Sequence, residues 1–313
     1  MKIVVTGALG HIGSRLIREL PAAFPEASIV MIDNMSTQRY CSLFELPEYG
    51  HYTFIEGDMT TMDLAPVLAG AHAVVHLAAI TDAAGSFDKA EQVEANNFSA
   101  TQLIAEACAK FGTRLITLSS TSVYGTQKEQ VDEDCTVDEL KPQSPYATTK
   151  LKEEALVQGL VKGGGLKASV FRFGTIFGVS PGIRFHTAVN KFCWQASLGQ
   201  PITVWRTAYE QMRPYLELGD ACRAIEHIIR KDLFDGRVYN VLTFNATVRQ
   251  IVQAIQKFVP DLSIQFVDNR IMNQLSYEVS NTRFGTTGFS PSGNLEHAIE
   301  DELKLFAAIA KSR

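Results

Sequence analysis

The first fourteen residues constrain this chain more than any other stretch, because they join an apolar run, a glycine turn and a helical pattern. Lys2–Val5 is short, apolar and β-branched, which predicts a buried strand of a parallel sheet. We expect Gly7 to allow the tight turn, Gly10 to let the backbone approach a pyrophosphate, and Gly13 to let the following helix pack closely. The free N–H groups at the helix start would then face phosphates.

An acidic residue stands where the second predicted strand ends. Ile29–Ile32 is apolar, and Asp33 follows it, 20 residues after Gly13. A carboxylate at that position accepts hydrogen bonds from the ribose hydroxyls of a dinucleotide, and its charge repels the 2′-phosphate of NADP. Glycine turns are common in ordinary strand–turn–helix units, so Asp33 is what favours nucleotide binding. The pattern predicts NAD as the cofactor.

Composition excludes several classes of function. The 313 residues are 46% hydrophobic and 20% charged, as in globular proteins with one large or two modest domains. A net charge of -5, without a Lys/Arg run, predicts no nucleic-acid or membrane partner. No apolar stretch approaches the roughly 18–20 residues of a membrane span, and no signal-peptide pattern is present. The five scattered cysteines lack metal-ligand spacing, so we expect reduced thiols, no metal site and a cytoplasmic protein.

The next two predicted strands also end in residues with a potential role. Tyr52–Glu56 leads to Asp58 and Met59. Asp58 either holds an adenine amino group, with Met59 on the ring, or caps a helix that starts near residue 62. Ala73–Ala79 ends in small residues that let a ligand lie against the backbone. His76, within that strand, is predicted to be a packed structural histidine.

The fifth predicted strand and a later helix carry the groups with catalytic potential. Arg114–Leu118 ends in the hydroxyl run Ser119–Ser122, and Tyr146 and Lys150 are four residues apart on one helix face. The ammonium can lower the pKa of the phenol from about 10 toward neutral, a shift worth roughly 4 kcal/mol. With a hydroxyl sharing the proton, the phenol becomes a general base for a sugar or alcohol hydroxyl. The alternative is a solvated helix pair and a serine-rich turn.

The alternation of strands and helices changes after the sixth predicted strand, Ala168–Phe173. We predict an α/β fold: a doubly wound parallel sheet in residues 1–173 and a smaller α/β substrate domain in residues 174–313. Residues 214–241 are expected to return to the first domain, because Tyr239–Val241 has the pattern of a buried strand. The other predicted elements are a long helix with Asn97 at its start, strands Pro201–Trp205 and Leu262–Phe266, the latter as the last strand, and helices Asp220–Ile229, Thr247–Phe258 and Leu295–Ala310.

These motifs, in this order, resemble the extended short-chain dehydrogenase/reductase family, specifically its nucleotide-sugar epimerases and dehydratases, over nearly the whole chain. Its Thr-Gly-x-x-Gly-x-x-Gly motif is Thr6–Gly13, its His-Leu-Ala-Ala is His76–Ala79, and its Tyr-x-x-x-Lys pair is Tyr146 and Lys150. The resemblance implies a Rossmann-type fold. The NAD contacts it implies are Gly7, Leu9, Gly10, His11, Ile12, Gly13, Asp33, Asn34, Ser36, Asp58, Met59, Leu77, Ala78, Ala79, Asn97, Tyr146 and Lys150.

The resemblance also implies roles in catalysis and assembly. Tyr146 would take the proton from the 4-hydroxyl of a sugar, Lys150 would hold the nicotinamide ribose, and Ser120 would bond to the same substrate oxygen. Relatives commonly form homodimers through two long helices, here residues 95–110 and 146–162. A nucleotide-diphosphate sugar, in the first place a UDP-sugar, is the implied substrate. Its implied contacts are Thr81, Ser120, Thr121, Thr175, Asn190, Arg206, Arg213 and Arg270.

The residues after the catalytic Ser/Thr bear on which reaction is catalysed. Dehydratases of the family carry an acid–base pair directly after the catalytic Ser/Thr, whereas this chain has Thr121 and Ser122. We therefore expect a 4-epimerase with a transient 4-keto intermediate. A C4 ketoreductase, a dehydrogenase or a dehydratase acting on a nucleotide sugar or another phosphorylated polyol is the alternative, and a non-catalytic NAD-binding sensor is the minor one.

The departures from the family pattern lie on the substrate side. Thr175 replaces the Asn that usually touches the diphosphate, and the Arg-x-Gly-Asp segment near the C-terminus is missing. We expect Arg184, Arg206 and Arg270 to form a replacement anion grip, or the substrate to be a different acidic or phosphorylated polyol.

Overall fold

The fold was analysed in a computed structural model, which describes residues 1–81, 90–125, 129–136, 138–268 and 276–310. Its strands are β1 (Lys2–Thr6), β2 (Ser28–Asp33), β3 (His51–Glu56), β4 (Ala73–His76), β5 (Arg114–Ser120), β6 (Gln130–Val131), β7 (Ala168–Phe173), β8 (Thr175–Phe177), β9 (Ile202–Trp205), β10 (Met212–Glu217), β11 (Val238–Val241), β12 (Phe244–Thr247), β13 (Ile264–Val267) and β14 (Glu278–Val279).

The helices alternate with the strands over the first two thirds of the chain. They are α1 (His11–Ala23), α2 (Ala65–Leu68), α3 (Ala90–Phe111), α4 (Pro145–Lys162), α5 (Ala188–Ser197), α6 (Leu218–Lys231), α7 (Val248–Gln256), α8 (Thr282–Gly285), α9 (Leu295–Leu305) and α10 (Ala307–Ala310). Short 3-10 turns add Tyr40–Leu43, Thr121–Val123 and Arg206–Ala208. Among the described residues, no helix is both long and apolar enough to cross a bilayer.

A seven-stranded sheet forms the centre of the molecule. Its strand order is β11-β7-β5-β4-β1-β2-β3, and all neighbouring strands run parallel. Val4 of β1 lies opposite Val30 of β2 on one side and Val74 of β4 on the other. The chain order reverses between β1 and β4, which is where open α/β sheets form a ligand-binding crevice. The predicted doubly wound α/β fold is confirmed.

Both faces of this sheet are covered, as a parallel sheet requires. Side chains of successive strand residues point to opposite faces. Ile3 and Val5 pack with apolar residues of α1 and α6, whereas Val4 packs with those of α2, α3 and α4. This double burial explains why β1, β2 and β4 are rich in Val and Ile without polar alternation.

The remaining strands form three small sheets. β10 pairs with β8 in parallel and with β12 in antiparallel orientation, while β13 pairs with β9 and β14 with β6. A separate apolar core joins α5, α7 and α9 around Phe177, Val204 and Ile251. Because β11 lies beside β7 in the large sheet, we propose the domain division given above, with residues 214–241 crossing back.

The structure corrects several predicted elements. Asn97 is not at the start of its helix, since α3 begins at Ala90. Strands β8, β10 and β12 were not predicted, and β14 shows that Leu262–Phe266 is not the last strand. Strands β8, β10, β12 and β14 are at most six residues long and mostly mixed in polarity. Their formation therefore depends on distant pairing partners more than on a local pattern.

A buried ion pair connects α4 to the large sheet. Arg172 of β7 and Glu154 of α4 are 4% and 5% exposed. Arg172 Nη2 donates to Glu154 Oε2 over 2.6 Å, its Nε donates to Oε1 over 2.9 Å, and its Nη1 donates to Tyr124 Oη over 3.0 Å. This bidentate contact fixes the helix that carries Tyr146 and Lys150.

We expect Arg172→Met to lower the free energy of unfolding by about 3–5 kcal/mol, because it leaves the Glu154 carboxylate buried without its cation. Urea denaturation measures the loss. Arg114→Met is the matched control: Arg114 stands in the same sheet, but its partner Asp232 is exposed, so its loss should stay below about 1 kcal/mol. Equal losses in both variants would contradict the role of the buried pair.

Candidate active site

One cleft of about 970 Å³ lies at the carboxyl ends of the parallel strands. It lies beyond the ends of the paired strands β1 and β4, and residues of β5, β7 and the loops beyond them also line it. The structure therefore brings most of the predicted site residues into one volume. Those that line it are Gly7, Gly10, His11, Ile12, Gly13, Asp33, Asn34, Ser36, Asp58, Met59, Leu77, Ala78, Ala79, Thr81, Ser120, Tyr146, Lys150 and Thr175.

The glycine turn leaves no room for side chains at its two ends. Gly7 has φ +64°, in the left-handed region, and a Cβ there would lie 2.7 Å from the backbone nitrogen of Ala78. A Cβ on Gly13 would lie 2.4 Å from the carbonyl oxygen of Gly7. The start of α1 therefore sits directly against the ends of β1 and β4, with its first N–H groups toward the cleft. This is the geometry that a dinucleotide pyrophosphate requires.

Asp33 is held in place by backbone donors. Its Oδ2 accepts the N–H of Leu9 over 3.1 Å, and its Oδ1 accepts the N–H of Met35 over 3.0 Å. Leu9, a predicted NAD contact, is absent from the described lining of the cleft, because its side chain is buried and its N–H is bonded to Asp33. Arg39 also lines the cleft near Asp33, and sequence reasoning missed it because it follows in an irregular loop. These residues fit the adenosine ribose of a dinucleotide.

Asp58 caps a turn and not a helix, because the next helix, α2, begins only at Ala65. Its Oδ1 accepts from the N–H and the hydroxyl of Thr60 over 2.8 and 2.6 Å, and its Oδ2 accepts from Asn34 Nδ2 over 3.1 Å. The bonds from Thr60, and then that from Asn34, hold the pKa of Asp58 below its ordinary value. Asp58 thus fixes the turn after β3, and it still lines the cleft beside Met59.

The end of β4 is shaped by residues behind the cleft. Thr6 Oγ1 and His76 Nδ1 are 2.8 Å apart, and burial lowers the pKa of His76 to about 3, so the imidazole is neutral at pH 7. His76 is packed and buried, as expected, although it borders the cleft. Asn97, a predicted NAD contact, is buried instead: its side chain accepts from the N–H of Ile80 and donates to the Ile80 carbonyl. It supports the strand end and does not reach the cleft.

The hydroxyl run after β5 divides between the cleft and the core. Ser120 Oγ faces the cleft and accepts from the N–H and the hydroxyl of Ser122 over 3.1 and 2.9 Å. Thr121, a predicted substrate contact, is absent from the described lining, because its side chain is buried and its hydroxyl donates to the carbonyl of Phe173. Ser122, which was not predicted as a site residue, lines the cleft in its place.

Tyr146 and Lys150 lie on the first two turns of α4, which Ser144 caps by accepting the N–H of Ala147. Lys150 Nζ is 5.8 Å from the centre of the Tyr146 ring and donates to Glu153 Oε2 over 2.8 Å. Burial raises the pKa of Tyr146, and the Lys150 charge only partly opposes this, so the net direction is upward. The expected lowering toward neutral is not observed, because burial dominates and Glu153 offsets part of the ammonium charge.

A loop from the second half of the chain also lines the cleft. Within it, Arg184 donates to Thr81 Oγ1 and to His186 Nε2, and both Arg184 and His186 line the cleft. Burial and the Arg184 charge lower the pKa of His11 to about 3. Asn190, a predicted substrate contact, is buried: it accepts the N–H of Gly178 and donates to the carbonyl of Arg184. It positions the loop instead.

The other predicted arginines lie apart from the lining. Arg206 is mostly exposed, with its guanidinium over Phe266 and its Nε 3.6 Å from Asp268 Oδ1. Arg213 Nη2 donates to Gln211, and its guanidinium lies 5.3 Å from the centre of the Tyr277 ring. Both are absent from the described lining of the cleft, which instead includes Trp205. Arg270 lies outside the described residues.

The fold and the cleft define an enzyme that binds a dinucleotide at the reversal point of a parallel sheet. Residues 3–241 match the NAD dependent epimerase/dehydratase family. The chain belongs to this family, and the predicted relationship is confirmed. NAD is the family's cofactor, and the glycine turn, Asp33 and Asp58 fit it.

Two curated relatives illustrate the range of the family. The chain is 29% identical to the trifunctional UDP-glucose 4,6-dehydratase/UDP-4-keto-6-deoxy-D-glucose 3,5-epimerase/UDP-4-keto-L-rhamnose-reductase RHM1 of Arabidopsis thaliana, over 95% of this chain and 46% of that protein. It is 29% identical to the uncharacterized UDP-glucose epimerase YtcB of Bacillus subtilis, over 90% of this chain and 88% of that one. The chain spans about half the length of the first curated relatives that it matches.

A solved structure gives the same picture of the fold. The UDP-glucuronic acid 4-epimerase of Bacillus cereus, in complex with UDP-glucuronic acid and NAD, has a TM-score of 0.88 and 26% identity. The alignment covers 99% of this chain and 100% of that one.

We expect Gly13→Ala to abolish most NAD binding, because the added methyl would lie 2.4 Å from the Gly7 carbonyl and push α1 off the turn. NAD released per chain on denaturation is the measurement. Gly159→Ala is the control, since a Cβ at this α4 position meets open space, and it should retain the cofactor. A Gly13→Ala protein that keeps its NAD would refute this account of the turn.

Proposed function

We propose that this chain is an NAD-dependent nucleotide-sugar 4-epimerase. The observation that carries the proposal is that Tyr146, Lys150 and Ser120 face the same cleft as the glycine turn and Asp33. A phenol, an ammonium and a hydroxyl around one point can bind a sugar hydroxyl and exchange its proton. When bound, NAD supplies the acceptor and donor of a hydride at the sugar carbon, so the cycle has no net redox change.

Each residue has a role in this proposal. Tyr146 takes the proton from the 4-hydroxyl as C4 is oxidised and returns it when C4 is reduced on its other face. Ser120 donates to the same substrate oxygen, and the hydrogen bond from Ser122 helps to orient the Ser120 hydroxyl. Lys150 holds the nicotinamide ribose and stabilises the phenolate when the proton leaves. Ala78 and Ala79 leave space for the cofactor against the strand end.

Epimerisation is favoured over loss of water by the residues that follow Ser120. Elimination of water across C5 and C6 needs an acid and a base near those carbons. Thr121 is buried with its hydroxyl on a backbone carbonyl, and Ser122 is bonded to Ser120. Neither side chain titrates near neutral pH. Relatives such as RHM1 carry a dehydratase, so the 4,6-dehydratase remains the reaction to test against.

We further propose a substrate with a carboxylate on its sugar, with UDP-glucuronic acid as the first choice. Arg184 lines the cleft, and its charge acts on the Tyr146 phenol. A guanidinium at that place suits a carboxylate, because the two can form paired charged hydrogen bonds. The Bacillus cereus protein of similar fold is a UDP-glucuronic acid 4-epimerase.

Proton NMR of the purified protein, without added cofactor, tests the reaction. UDP-glucuronic acid, UDP-glucose and their N-acetyl counterparts are supplied in turn. Interconversion of the C4 epimers supports the proposal. A 4-keto-6-deoxy product identifies a dehydratase instead, and turnover that needs added NADH identifies a reductase.

Tyr146→Phe should lower kcat by about 10²–10⁴-fold, because it removes the group that exchanges the proton. The variant should still release one NAD per chain on denaturation, because the glycine turn and Asp33 are unchanged. NMR turnover and NAD content are measured on the same sample. Turnover at the wild-type rate would show that another residue is the base.

Arg184→Gln separates uronate from neutral substrates. Loss of a charged hydrogen bond of about 1.5–3 kcal/mol should lower kcat/KM for UDP-glucuronic acid by about 10–100-fold. The value for UDP-glucose, if that sugar is turned over, should change much less, which serves as the internal control. An equal decrease for both sugars would place Arg184 at the nucleotide or in loop packing.

A further inference from the structure

Glu153 lies almost one turn beyond Lys150 on α4 and is as deeply buried as the lysine. The exposed fractions are 4% for Glu153 and 5% for Lys150. Lys150 Nζ donates to Glu153 Oε2 over 2.8 Å, and Thr101 Oγ1 of α3 donates to the same oxygen over 3.0 Å. The second oxygen, Oε1, is buried and has no hydrogen-bond partner among the described residues. A buried carboxylate with one oxygen unbonded costs folding free energy. Packing of α3 on α4 therefore does not explain why Glu153 is at this position.

We propose that Glu153 is a positioning residue of the active site. Its carboxylate anchors the Lys150 ammonium against α3, so that the positive charge of Lys150 is divided between Glu153 and the Tyr146 phenol. The inference rests on the proposed function, in which this phenol exchanges a proton with the substrate. It assigns Glu153 no contact with substrate or cofactor. Its effect passes through the lysine.

The charges around the phenol support this role. Burial is the largest cause that raises the pKa of Tyr146, Lys150 lowers it, and Glu153 raises it again. Burial would also lower the pKa of Lys150, but the charge of Glu153 and its hydrogen bond act against burial, and the net direction is upward. The ammonium therefore stays charged, and Glu153 weakens its effect on the Tyr146 phenol, which alternates between phenolate and phenol in the proposed cycle. A protonated phenol is the form that gives a proton to a ketone oxygen when C4 is reduced.

Four other charged or titratable groups lie around Tyr146, Lys150 and Glu153. His76 of β4 is neutral at pH 7, because burial lowers its pKa to about 3. Glu154 of α4 is bound to Arg172 of β7. Arg184, in the loop after β8, lowers the pKa of the Tyr146 phenol from the cleft side.

A pair of variants tests the proposal on the protein with its NAD bound. Glu153→Gln removes the charge at nearly constant volume, and Glu153→Asp retains it. The phenol of Tyr146 is titrated by ultraviolet difference absorbance, with the same variant carrying Tyr146→Phe as the reference. Glu153→Gln should lower the midpoint by about one pH unit, and the acid limb of the kcat–pH profile should move with it. Glu153→Asp should titrate near the wild-type midpoint.

The outcomes separate this inference from the proposed function. A Glu153→Gln midpoint equal to wild type, or an equal shift in both variants, would overturn the role of the charge even if epimerisation is observed by NMR. Conversely, absence of epimerisation would refute the proposed function, while the titration would still measure the sharing of charge. If Glu153→Gln does not fold, Glu153→Ala must lower the midpoint in the same direction, because it also removes the charge.

Discussion

The close approach of the turn after β1 to the end of β4 is the constraint on which the site depends. The backbones touch so closely that a Cβ at Gly7 or Gly13 would overlap neighbouring main-chain atoms. This contact places the start of α1 in the crevice where the strand order reverses. The N–H groups of α1, the carboxylate of Asp33 and the small residues after β4 consequently face one volume.

The parts of this arrangement that the sequence predicted are those set by local backbone geometry. A glycine turn between a strand and a helix has one geometry, and residues four apart on a helix share a face. Gly7, Asp33, Tyr146 and Lys150 could therefore be placed without the structure. Thr121 could not, since the sequence does not show which member of a hydroxyl run faces the cleft. Its direction is set by the carbonyl of Phe173, 52 residues away.

The substrate side was harder to predict, because irregular segments have no period from which side-chain direction can be inferred. Arg184 reaches Thr81, 103 residues earlier in the chain. Asn190 faces inward, where it holds the same loop through Gly178 and the Arg184 carbonyl. Arg206 follows a strand directly, yet it lies over Phe266 on the surface. In each case a tertiary partner, absent from the local pattern, decides the direction of the side chain.

Two adjacent carboxylates on α4 link the stability of the fold to the chemistry of the cleft. Successive helical side chains are about 100° apart, so Glu153 faces Lys150 and α3 while Glu154 faces Arg172 in the sheet. Buried ion pairs of this kind add little net stability over apolar packing, but separating one is costly. The Lys150 ammonium therefore cannot turn away without leaving Glu153 buried and uncompensated. The same carboxylate fixes the position of the lysine and adds to the rise in the pKa of the phenol that burial chiefly causes.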